Sequence, residues 1–177
     1  MNNRYTFWGI TLKTIVTHTV TYFLMGILAF FLFDYATQYT ETSLNLLMRP
    51  TTEPIVRAGV LFQPIRGFLF GIAFYLLREV FFGKKSGWLM MWVVLIIMGI
   101  LSTFGPTPGS IEGVVYTVLP LSSHFGWGLL EIYSQALLLS FVTYTWVNHP
   151  EKKWLTWVLI AAFCVVLLLP GLALLTS

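Results

Sequence analysis

The chain has 177 residues, of which 57% are hydrophobic, 17% aromatic and only 10% charged, with a formal net charge of +3. No water-soluble core of this length hides so much apolar side chain, so the composition specifies an integral membrane protein with room for four to six spans of about 20 residues. The ten Lys and Arg are scattered singly or in pairs, which excludes a nucleic-acid-binding stripe, and the single cysteine, Cys164, excludes an intrachain disulfide.

The first apolar stretch, 15–33, follows Arg4 and Lys13. It is longer than the apolar region of a signal peptide and no small-x-small cleavage site follows, so it reads as the first membrane helix. His18 lies in it among Thr14, Thr17, Thr19 and Thr21. This polar patch is expected in the inner leaflet, with His18 as the neutral partner in an interhelical hydrogen bond.

Residues 34–58 form an outer segment containing "TSLNLLMRPTTEP". An interfacial helix capped by Thr42 or Ser43 and ended by Pro50 is expected, with its leucines toward lipid. The second span, 59–82, carries Gln63, Arg66 and a Gly67-xxx-Gly71 spacing that permits close helix approach. Arg78 and Glu79 fall within a turn or so of its end, where both snorkel to the interface. The "GKKSG" turn joins it to the third span, 88–104, as an antiparallel neighbour.

The segment 105–125 opens on "GPTPGSIEG". Its prolines end the third helix. Ser110 has the chemistry of an N-cap, Glu112 would meet the positive end of the new helix, and Pro120 would close it. The result is a short re-entrant or interfacial helix on the outer side, since "VVYTVLP" is far too short to span. The fourth span, 126–147, and the fifth, 154–175, are joined by "NHPEKK" as a second antiparallel pair. Cys164, mid-span, reads as a small buried hydrophobe.

The fold class is therefore all-α, a single polytopic domain of about five spans plus the short outer helix. Cations retained beside cytoplasmic loops set the orientation. With the amino terminus inside, Arg4, Lys13, Arg78, Lys84, Lys85, Lys152 and Lys153 fall on the cytoplasmic side, and Arg49, Arg57 and Arg66 on the outer side. The carboxyl terminus is then outside. Trp88, Trp146, Trp154 and Trp157 mark the inner interface and Trp127 the outer one. Small size and short cationic loops suit a bacterial cytoplasmic membrane.

Ionisable side chains at membrane depth are costly and face protein or water. Arg66 lies seven residues after Gly59, about 10 Å along its helix, and Glu131 five residues after Gly126, about 8 Å along a helix running the same way. An ion pair between them is expected. Gln63 precedes Arg66 by about one turn, Ser134 and Gln135 follow Glu131 by one turn, and His124 precedes it by two. Glu112 and Tyr116 reach the same level if the 105–125 segment dips inward. The candidate ligand-binding set is Arg66, Glu131, Gln63, Gln135, Ser134, His124, Glu112 and Tyr116. Glu131, His124 and Glu112 are the candidate acids and bases.

Sharper chemistries find little support. There is no G-x-x-x-x-G-K-[ST] phosphate loop, no nucleophile elbow around Ser110 or Ser122, and no H-x-x-x-H metal spacing, so neither a cofactor nor a metal is expected. The leading expectation is a protein that binds or helps transport an amphipathic or anionic small molecule or lipid head group in an outer-leaflet polar cavity. A membrane-embedded enzyme acting on a lipid-linked substrate and an assembly subunit of a membrane complex are the alternatives. Expected partners are membrane lipids, a second copy or another membrane subunit.

Overall fold

The computed structural model describes residues 5–41 and 43–175, and every regular element among them is a helix. Helix α1, Phe7–Leu32, is capped by Thr6, whose Oγ1 accepts from the Gly9 N–H at 3.1 Å. It ends where Asp34 takes a left-handed backbone, φ +47°. Asp tolerates that region better than a branched residue, and the chain folds back there into α2, Tyr35–Glu41. The helix expected between Thr42 or Ser43 and Pro50 is only a 3₁₀ turn, Ser43–Leu46, and α2, which precedes it, was not anticipated. Thr42, one of its two expected caps, lies outside the described residues, as does Arg4.

The second rod is built of α3, Pro54–Arg57, a 3₁₀ turn, Ala58–Phe62, and α4, Gln63–Leu76. The tightening has a local cause. Pro64 has no N–H to offer the Val60 carbonyl, which accepts instead from Gln63. A single turn, α5, Arg78–Phe81, follows. Helix α6, Gly87–Ile96, continues as a π turn, Ile97–Leu101, closed by Ser102 N–H to the Ile97 carbonyl at 2.9 Å. Then come α7, Ile111–Tyr116, α8, Leu121–His124, α9, Trp127–Asn148, and α10, Lys153–Leu175.

Four helical runs are long and apolar enough to cross a bilayer: Phe7–Leu32, Pro54–Leu76, Leu121–Asn148 and Lys153–Leu172. The expected third span corrects to the shorter helix Gly87–Leu101. At roughly 20 Å it falls short of the ~30 Å hydrocarbon core, because it ends in the π turn at Leu101, four residues before Gly105.

Helix α1 is the axis of the bundle, with α4, α9 and α10 against it and α6 on the outer flank of α9. The Gly67-xxx-Gly71 face makes the closest approach. A Cβ on Gly67 would stand 2.7 Å from Ile15 Cα, and one on Gly71 2.8 Å from Thr11 Cα. The two antiparallel pairings expected from short turns need correcting. Helix α6 follows the second rod but rests on α9, donating from Trp92 Nε1 to the Tyr133 carbonyl at 3.1 Å, and α10 rests on α1 and the Ala58–Phe62 turn. A short turn fixes only where two helix ends meet. The small and polar faces decide which helices pack.

Both tight turns do share one end. The Tyr5 hydroxyl lies 2.9 Å from the Phe82 carbonyl and 3.0 Å from Asn148 Oδ1, and Tyr144 donates to the Lys84 carbonyl. An apolar core of Ile10, Phe74, Phe81, Phe82, Met91, Leu139 and Val147 seals that end. Trp154 and Trp157 are exposed there, but Trp146 is buried, donating to Thr156 Oγ1 at 2.8 Å and lying under Lys13. Cys164 is on an exposed face of α10 rather than buried, since that helix is apolar on every side and gives only part of itself to α1.

Candidate functional site

Thr11, Thr14, Thr17, His18 and Thr21 are all buried along α1. Several hydroxyls bond back to their own helix, Thr14 to the Ile10 carbonyl and Thr21 to that of Thr17. His18 does not. Its Nε2 lies 3.1 Å from Gln63 Oε1 on α4, the interhelical hydrogen bond expected of it. The pairing puts His18 at the level of Gln63 and Arg66, not in a separate inner patch. One turn past Gln63, the Arg66 guanidinium lies 5.5 Å from the centre of the Phe70 ring. The His18 imidazole meets the same ring edge-on at 5.0 Å.

Arg66 is exposed on the flank of α4. Its expected ion pair with Glu131 does not form, because α1 runs between α4 and α9 and each charge finds a nearer neighbour. Glu131 accepts a hydrogen bond from the Tyr35 hydroxyl, and its Oε1 lies 4.0 Å from where a Cβ on Gly26 would be. The left-handed turn at Asp34 delivers Tyr35 to that point. Tyr39 stacks on Tyr35 at 5.0 Å, and Phe33 stacks on Trp127 at 5.6 Å. Burial chiefly, and then the nearby Glu131 and Tyr22, push the Tyr39 hydroxyl up to about 12. Tyr35 is raised further, by burial and by its bond to Glu131. Tyr22 lies between the two groups, 6.3 Å from His18 and with its hydroxyl beside Gly59.

The 105–125 segment folds largely on itself. Ser110 caps α7 as expected, accepting from Gly113 N–H at 2.9 Å, and Glu112 sits in the first turn. Gly109, at φ +86°, points its N–H at His124 Nδ1, 3.3 Å away. That leaves His124 Nε2 to donate to Thr117 Oγ1, which in turn donates to the Gly113 carbonyl. With both ring nitrogens engaged and 1% exposure, His124 ties the loop to itself. Among the described residues no three His, Cys, Asp or Glu cluster tightly enough for a metal.

The eight candidate residues are therefore not one constellation. Gln63 and Arg66 stand with His18 on the α1–α4 side, and Glu131 stands with Tyr35 on the α1–α9 side, with Ser134 and Gln135 partly buried farther along α9. His124, Glu112 and Tyr116 belong to the 105–125 segment, where Tyr116 is 72% exposed. No protein-family model, curated protein or solved structure matches the chain. Two surface hollows of ≈ 440 and ≈ 450 Å³ flank Trp127, one lined by Phe125, Leu129, Leu130 and Tyr133, the other by Leu32, Phe33, Asp34 and Gln38. Sequence reasoning missed the tyrosines. Tyr22, one turn beyond His18 on the same face, was the available signal, whereas Tyr35 and Tyr39 depend on the backbone reversal at Asp34.

Proposed function

We propose that this membrane protein binds the anionic head group of a lipid, or a similar amphipathic anion, at the outer end of its bundle, as a holder or within a transport step. The observation that carries the reading is Arg66. It is exposed on a helix flank, has no carboxylate partner among the described residues, and lies within a span. A guanidinium there is costly in hydrocarbon unless an anion meets it, and the phosphate of a neighbouring lipid matches its planar fork. The two hollows beside Trp127 supply apolar room for acyl chains at the same end of the bundle.

We infer that the end holding Lys84, Lys85, Lys152 and Lys153 faces the cytoplasm, as it would in a bacterial inner membrane, and that the Arg66 and Glu131 end faces outward. The test is lipid retention. Purified in a phosphate-free maltoside and weighed intact by native mass spectrometry, the wild-type protein is expected to carry anionic phospholipid and Arg66→Ala to lose it. Equal retention by both would overturn the reading.

The Tyr35–Glu131 hydrogen bond favours a second reading, a membrane-embedded enzyme using Glu131 as acid or base on a lipid-linked substrate. Turnover lost in Glu131→Gln with the fold intact would support it. Lipid retention lost in Arg66→Ala alone would support the first.

A further inference from the structure

Gln63 fixes the tautomer of His18. The Gln63 amide nitrogen donates to the Gly59 carbonyl at 3.0 Å, so its Oε1 is the atom turned toward His18 Nε2, 3.1 Å away. An amide oxygen only accepts, so Nε2 carries the hydrogen. Nδ1 is then a bare acceptor. It is buried in a residue 1% exposed and has no hydrogen-bond partner among the described residues. A buried acceptor left open in this way is set up to receive a proton or a water.

The surroundings determine when it does so. On α4, Arg66 shares the Phe70 ring with His18, at 5.5 and 5.0 Å from its centre. On α1 itself, Tyr22 is the titratable neighbour, 6.3 Å away, while Lys13 turns to the Trp146 carbonyl at the other end. On α9, Glu131 lies beyond Gly26 and holds Tyr35. Helix α10 brings no charged side chain beyond Lys153. The charge closest to His18 is therefore the guanidinium that the head-group reading assigns to an anion.

We propose that an anion on Arg66 and a proton on His18 Nδ1 bind together, so that head-group binding draws a proton from water into the bundle. The inference rests on the head-group reading. An uncompensated guanidinium repels a second positive charge across the Phe70 ring, and a bound phosphodiester cancels that repulsion. By linkage, protonated His18 holds the anion more tightly in return. The proton comes from bulk water to the bare nitrogen and no bond of the ligand changes. The aromatic core around Phe74, Phe81 and Phe82 closes the opposite end, so access is from the side of Arg66.

The test uses the full chain in maltoside micelles titrated with short-chain phosphatidylglycerol, a phosphodiester whose own charge is constant between about pH 5 and 8, where imidazoles change charge. The expected result is affinity about tenfold higher at the acid end, with proton uptake seen by calorimetry in buffers of different ionisation enthalpy. His18→Gln is expected to remove the pH dependence. Should that variant fail to fold, proton uptake by the wild-type protein decides alone. Binding that is lost in Arg66→Ala but equal at both pH values, with no proton uptake, overturns the linkage and keeps the head-group reading. No binding by the wild type at any pH overturns both.

Discussion

His18 and Gln63, 45 residues apart in the chain, meet at 3.1 Å across the α1–α4 interface, and Gln63 is itself held by the Gly59 carbonyl at 3.0 Å. The chain His18–Gln63–Gly59 ties a buried imidazole to the 3₁₀ turn that Pro64 imposes. Gln63→Leu keeps the volume and removes both bonds, stranding the Nε2 hydrogen in an apolar setting. A loss of about 1–2 kcal/mol of stability is expected. Denaturation in mixed micelles measures it, and an unchanged midpoint would show that the bond contributes nothing.

The glycine face of α4 makes a sharper demand. At Gly67 and Gly71 the obstructing atoms are the Ile15 and Thr11 backbone, which cannot rotate away. Gly67→Val and Gly71→Val are each expected to cost about 1–3 kcal/mol or to part the two helices. Gly128, the second residue of α9, is the control, with nothing within 4 Å of an added Cβ. Gly128→Ala should be neutral or stabilising by up to about 1 kcal/mol. Equal effects at all three positions would mean that α1 and α4 do not pack as described.

Much of the architecture is legible in the residues. Length and apolar runs mark the helices, Gly67 and Gly71 mark the α1–α4 contact, and Ser110 marks the restart of the chain after Gly105. What is not legible is which helix lies between which. Arg66 and Glu131 have matching depth, but depth is a single coordinate, and α1 occupies the space an ion pair would need. The aromatic partners of Glu131 were hidden for a similar reason. A left-handed residue at Asp34 is not encoded by hydrophobic period, and without it Tyr35 would continue away from the bundle.

In the 105–125 segment, His124 accepts from Gly109 and donates to Thr117, so a single ring closes the stretch between Pro106 and Pro120. His124→Leu is expected to leave the Gly109 N–H and the Thr117 hydroxyl unserved and to release the loop while the membrane helices stay intact. Hydrogen exchange should rise over residues 105–125 and remain flat over α1 and α4. A global change in exchange would place His124 in the bundle core instead.

Tyr39 gives the protein an alkaline limit. Its hydroxyl is raised from the usual 10.0 to about 12, first by burial and then by the charge of Glu131 and the neighbouring Tyr22, so the folded state favours the neutral phenol. A group whose folded value lies above its unfolded one contributes its full stability below the unfolded value and loses it as pH rises toward the folded one. The protein should therefore hold its stability up to about pH 10, and lose part of it between there and 12. Tyr39→Phe should reduce that loss, leaving the part that the further-raised Tyr35 contributes, without changing stability at neutral pH, and tyrosinate absorbance should lose one late-ionising component. Glu131→Gln removes the anion that opposes ionisation, so in that variant Tyr39 should ionise at lower pH. If its titration is unmoved, Glu131 carries no charge beside α2, and the pairing of Tyr35 with a carboxylate fails with it.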